Sequence, residues 1–207
     1  MTIRLITKTD DLAVSPTDYR EVDAKTALTR GLAEYVETLV VNAPGGRKLK
    51  FANVLDHYAE PDEKAQFPSA AIYATADGVY DASEFTPQTP NVRNHVSDDL
   101  YLIKSCELVQ PIIFEVWAND VEQRLALVMG LEELLNPVDW RYGFVVELPF
   151  YFNERAVYAV QSMTYPDSEA EAIKRYRRAV YAVMASIPVC NVRRYPLAQT
   201  KLVVDVE

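Results

Sequence analysis

Few residues in this chain have the types and spacing that chemistry requires. Gly45-Gly46-Arg47-Lys48 has the composition of a phosphate-cradling loop. A P-loop, however, needs a strand before it, a GxxxxGK spacing and a helix after it. The surrounding pattern predicts a helix before and a strand after, so the stretch reads as a surface turn. Glu60-Pro61-Asp62-Glu63-Lys64 holds the acids and lysine of a metal-dependent nuclease. Those groups must converge on one cation from neighbouring strands, and confined to one polar segment they read as a solvated loop. Cys106 with His57 or His95 is a nucleophile–base pairing that spacing alone leaves open. Lone histidines are more often surface or hydrogen-bonded residues. The pairs Asp10-Asp11, Asp98-Asp99 and Glu132-Glu133 can each hold a cation weakly, and read more simply as solvated ends and exposed helix faces. A glycosidase-type acid/base pair depends on a carboxylate separation that sequence does not give. No residue is therefore assigned a catalytic, metal-binding or cofactor-binding role, and no cofactor is expected.

Composition narrows the classes further. The chain has 207 residues, 49 % of them hydrophobic, and a formal charge of −9. That is enough apolar material for a sizeable core, while the acidity argues against a dedicated nucleic-acid binder, which normally presents a basic face. It does not exclude a surface that lets DNA slide past. Cys106 and Cys190 lie in strand-like runs with no CxxC spacing, and are expected as two buried free thiols of a reducing compartment. The opening MTIRLITKTDD has no apolar signal-peptide core. No run approaches the ~20 residues that span a bilayer, so the expected site of synthesis and residence is the cytoplasm, or an assembly built there.

The elements that must carry any function are legible in outline. Ser15, Pro16 and Asp18 predict the start of a first helix, with apolar residues at Tyr19, Val22, Leu28, Leu32, Tyr35, Val36 and Leu39. Asn42, Pro44 and the glycine pair end it. Residues 49–58 read as a strand and 70–76 as a short one. Residues 77–98, with Asp77-Gly78, Thr86-Pro87 and Thr89-Pro90, read as a protruding loop or arm. Residues 100–108 and 111–118 look like an antiparallel hairpin broken at Gln110-Pro111. Asn119 or Asp120 caps a second helix with Val121, Leu125, Val128, Glu132 and Leu135 on one face, Leu131 and Leu134 widening the stripe, and Pro137 beyond its end. Residues 143–152 read as a strand that Pro149 keeps from a central position.

The hexapeptide Arg-Ala-Val-Tyr-Ala-Val occurs twice, at 155–160 and 178–183. One strand pattern used twice predicts a sheet scaffold in the C-terminal third, with a short helix over 169–177 between the copies. A single helix over 168–185 is the competing reading. Residues 201–206 alternate as a last strand, with Leu202, Val204 and Val206 on one side as a candidate edge. The whole reads as one α+β domain over 1–207: a mixed, mostly antiparallel sheet flanked by two main helices and one short helix, with a long protruding loop.

The chain holds thirteen tyrosines and two tryptophans. Tyrosine joins apolar area to a polar tip and suits both interfaces and ordinary sheets. In the loop, Tyr80, Phe85, Arg93 and Asn94 are the candidate interaction residues. From residue 66 onward, the hairpin, the helix opening Asn119-Asp120-Val121-Glu122-Gln123-Arg124, the 143–152 strand, the 168–177 helix and the terminal strands resemble a tailed-bacteriophage neck protein. The order is similar to that of the tail-terminator family. That resemblance implies a homo-hexameric ring on the finished tail, which stops tube polymerisation and presents a surface to the head. It implies as partners the tail-tube protein and the head–tail connector or stopper, with the sheath a further candidate. DNA would be passing cargo only, no membrane is involved, and the place is the virion neck after assembly in the host cytoplasm. Another head–tail adaptor, a baseplate protein, or a small cytoplasmic enzyme with a site built from distant residues are the alternatives.

Overall fold

A computed structural model of the chain describes residues 2–6, 22–43, 46–58, 66–82, 91–97, 100–135, 143–166, 177–194 and 201–205. In chain order the elements are β1 (Thr2–Ile6), α1 (Ala24–Thr38), β2 (Val41–Ala43), β3 (Arg47–Leu49), β4 (Asn53–Leu55), β5 (Ser69–Ala74) and β6 (Val79–Asp81). There follow β7 (Asn91–Ser97), β8 (Leu100–Ala118), α2 (Val121–Leu135), β9 (Phe144–Leu148), β10 (Glu154–Thr164), β11 (Arg177–Arg194) and β12 (Lys201–Asp205). The fold is α+β, with a mostly antiparallel sheet, two helices and a long loop region.

The sheet is organised by one long ribbon. β8 and β11 pair antiparallel from Leu100↔Arg194 to Ala118↔Arg177; at about 3.4 Å per residue the ribbon is roughly 60 Å long. β5, β6 and β7 share the other edge of β8 in turn. β10 and β9 extend the sheet beyond β11, and β4 lies parallel to β5 at the far edge. The continuous β8 replaces the hairpin expected of 100–118. Pro111 does not break it, because that residue falls between β5, which reaches Ile112, and β6, which ends opposite Val109. No neighbouring strand on that edge asks for the N–H that proline lacks. Gln110 fills the gap: fully buried, its Nε2 donates to Ala76 O (2.6 Å) and Pro111 O (3.1 Å).

The two hexapeptide copies take the same state, as expected, in the adjacent strands β10 and β11, offset along them so that they meet where Val160 opposes Val183. A single helix over 168–185 is therefore excluded, since Arg177 onward is strand. The rest of the short helix expected at 169–177 lies outside the described residues. Residues 79–81 and 91–97, read as loop from the sequence, are the two strands by which the loop region leaves β8 and returns to it.

Alternation along the strands sorts the sheet into two faces. One buries Ile72, Ile112, Phe114, Val116, Ala156, Tyr158, Tyr181 and Val183 beneath both helices, in one continuous core. The other keeps Val145, Val157, Ala159, Val180, Ala182, Met184, Pro111 and Ile113 half-buried or exposed. At its β5 end this second face carries a small cluster of Ala71 and Trp117 with Leu55, Phe67 and Tyr73.

Several local expectations change. The described helix α1 starts at Ala24, with Asp23 as its N-cap: Oδ1 accepts from Lys25 N (2.9 Å) and Thr26 N (3.0 Å). Asp23 itself is extended (φ −73, ψ 168), so no helix runs through it from Ser15; Ser15, Pro16 and Asp18 lie outside the described residues. The strand expected at 49–58 is two strands. Gly46 at φ +78 lets 47–49 fold back on 41–43 as a hairpin, and 53–55 then joins β5. The strand expected at 143–152 ends at Leu148, and a turn with Phe152 and Asn153 at positive φ (54 and 53) feeds β10. β1, unforeseen in the sequence reading, pairs with β12 as a separate two-stranded sheet.

Candidate interaction surfaces

Helix α2 shows best how the fold leaves apolar surface outward. Its start is fixed by a reciprocal cap: Asp120 Oδ1 accepts from Gln123 N (2.7 Å), and Gln123 Oε1 accepts from Asn119 N (2.8 Å). Leu127, Val128, Leu131 and Leu135 face the sheet. Arg124 is buried with them; its Nη1 donates to Arg178 O (3.3 Å) and its guanidinium lies 4.6 Å from the Tyr165 ring centre. The expected apolar face was thus rotated, for Val121 and Leu125 are 44 % and 45 % exposed. With Met129 at 57 % they form an i, i+4, i+8 stripe pointing away from the sheet.

The stripe borders a groove of about 480 Å³ between α2 and the β2–β3 hairpin. Ala43 and Leu49 of the hairpin and Leu125, Ala126 and Met129 of the helix supply its apolar wall; Arg47, Asp120 and Glu122 supply charges of both signs at its rim. The hairpin is held close because Gly130 has no side chain: a Cβ there would stand 2.0 Å from Val41 Cγ1. Such a groove suits an apolar side chain or segment with polar flanks.

Two polar clusters, one half-buried and one buried, tie strands of the sheet together. Tyr73 OH donates to Glu115 Oε1 (2.9 Å), which also accepts from Arg178 Nη1 (3.2 Å). Burial, and then the Glu115 charge, push the Tyr73 phenol above its ordinary value. Further along the ribbon Lys104 Nζ donates to Glu154 Oε2 across the fold, both side chains buried. Beside them Tyr151 OH donates to Pro188 O (3.3 Å) and accepts from Cys190 N (3.2 Å), which covers the edge of β11 where β10 no longer runs. Among the described residues no group of three or more His, Cys, Asp or Glu side chains converges as a metal site.

No family profile matches the chain, and no curated protein matches it in sequence.

The residues singled out from sequence are dispersed. Tyr80 stands 65 % exposed on β6, opposite Leu108. Arg93 lies at the bulge of β7 between Val92 and Asn94, and Asn94 opposes Leu102; Phe85 lies outside the described residues. Leu202 and Val204 oppose Leu5 and Ile3 in β12, and Val206 lies outside. His57 is exposed with Nδ1 3.2 Å from Asp56 Oδ1, and His95 sits in β7. Both cysteines are free, but only Cys190 is buried and Cys106 is half-buried. Gly46-Arg47-Lys48 belongs to the β2–β3 hairpin, and Glu132-Glu133 are exposed on α2. Residues 60–64, Asp10-Asp11 and Asp98-Asp99 lie outside the described residues. No helix among the described residues is long and apolar enough to cross a membrane.

Proposed function

We propose that this chain is a virion structural protein of a tailed-phage neck, a tail terminator that assembles as a homo-hexameric ring, ends tube polymerisation and joins the tail to the head connector. The observation that carries the reading is the outward stripe Val121, Leu125 and Met129 beside a groove with apolar and polar walls. Large apolar side chains kept together in solvent mark a surface built for a protein partner. The order of elements from β8 to β12 supports the narrower reading through the family resemblance, and the charge of −9 suits a channel through which DNA passes without adhering. The tail-tube protein, the connector or stopper, and the sheath are the partners that follow. Negative-stain electron microscopy over a concentration series, with mass by light scattering, tests the reading. Closed rings with a central channel are expected. A species of 23.4 kDa at every concentration, with no rings, would refute it.

A further inference from the structure

Among the described residues the helices cover the sheet on one face only. The face away from the helices carries eight apolar positions that form a continuous patch in the registers. Val145 opposes Val157, Ala159 opposes Met184, Met184 opposes Pro111, and Ala182 opposes Ile113, with Val180 next to Ala182 along β11. Val145 and Met184 are 55 % and 38 % exposed, and no described element lies over the patch. On the far side of the subunit, the α2 stripe points outward in the opposite direction. Among the described residues one subunit thus has a sheet without a second helical layer and a helical layer without a second sheet.

We infer that these two surfaces are mates: the α2 stripe and groove of one copy pack on the open sheet face of the next, head to tail. The inference rests on the ring reading for its closure and deepens it by naming the subunit interface. Three observations argue for a second copy as the occupant. The contact completes a helix–sheet–helix layering, the arrangement by which sheets with two apolar faces bury both. The two surfaces differ and face opposite ways, so the contact is heterologous and propagates into a closed ring when the rotation per step allows it. The area is also adequate. With strands about 4.8 Å apart and same-face residues about 6.8 Å apart, the eight apolar positions and their eight same-face neighbours span about 500 Å². Counted on both partners that is about 1,000 Å², the lower bound for a biological interface.

Two variants test this, Leu125→Asp on the stripe and Met184→Asp on the sheet face. Both sites are partly exposed, so folding should survive, as circular dichroism will report; Met129→Asp replaces Leu125→Asp if that variant misfolds. Wild type should give rings, and each variant alone should give the monomer mass of 23.4 kDa. An equimolar mixture of the two should give a heterodimer, because each variant keeps the surface that the other has lost. Rings that persist in either variant, or a mixture that stays monomeric, overturn the interface and leave the ring reading standing. Open chains in wild type, with the variants behaving as expected, uphold the interface and overturn the ring. A wild type monomeric at every concentration overturns both.

Discussion

Lys104 and Glu154 form an ion pair with side chains only 9 % and 10 % exposed, tying the outer half of the long ribbon to the start of β10. Removing one partner should cost about 3–5 kcal/mol, because the charge left behind remains out of water. An exposed pair would give about 0.2–1 kcal/mol. For a chain of this length each kcal/mol shifts Tm by about 2–4 °C, so Lys104→Met and Glu154→Leu should each melt roughly 6–20 °C below wild type. The double variant removes both charges while roughly keeping volume, and should lie within about 2 kcal/mol of wild type. The coupling energy is then at least about 4 kcal/mol, because two losses of about 3–5 kcal/mol each collapse to about 2 kcal/mol or less. Urea unfolding of all four proteins by circular dichroism measures it. A coupling below about 0.5 kcal/mol, with single variants close to wild type, would mean that each charge is solvated without the other, and the reasoning from burial would fail.

Gly130→Ala gains about 1 kcal/mol of helix propensity but sets a Cβ 2.0 Å from Val41 Cγ1, an overpacking of about 1–3 kcal/mol. Net destabilisation should follow in a urea melt, relieved by Val41→Ala in the same chain. Burial would raise the Asp23 carboxyl, but the hydrogen bonds from Thr26 and Lys25 outweigh it and hold the group below the usual carboxylate value. A depressed folded pKa gives stability present above the unfolded value and lost as pH falls through the folded one. Asp23→Ala should therefore cost about 1 kcal/mol at neutral pH, with a smaller deficit in acid, while Asp23→Asn should keep most of the cap; thermal melts at both pH values decide. Tyr158 OH donates to Leu28 O (2.8 Å) inside the core, so Tyr158→Phe should cost about 1 kcal/mol in a urea melt. Burial raises Tyr158 and Tyr181, and burial with Glu115 raises Tyr73. Raised folded values give stability that is full below about pH 10 and lost as pH climbs further. Their tyrosinate absorbance should therefore appear only together with loss of the native circular dichroism, and ionisation of all thirteen tyrosines in a native fold would refute this.

Where the chain's own spacing settles the state, the local signals and the structure agree. The repeated hexapeptide became strand twice, because alternating β-branched and aromatic residues fit a pleat wherever they lie. The second helix and its cap followed from Asn119-Asp120 and Gln123, whose side chains answer backbone groups only a few residues away. The same locality explains the failures. Pro111 is a strand breaker by its own chemistry, and only the arrival of β5 and β6 on either side of it leaves its missing N–H without a claimant. β1 finds its partner β12 nearly two hundred residues away, a distance over which sequence pattern carries no pairing information.

The candidate surface divides in the same way. By itself the sequence determined that α2 exists, that it is apolar on most sides, and that the chain is acidic. It also determined that strands dominate the C-terminal third, since these follow from composition and short periods. Which side of α2 turns inward was decided only by tertiary structure. Gly130 admits Val41, and Arg124 reaches the Arg178 carbonyl, and these two contacts rotate Leu127 and Leu131 into the core. Val121, Leu125 and Met129 are left outside by that rotation. A helix with apolar residues all round has no preferred face until its neighbours select one.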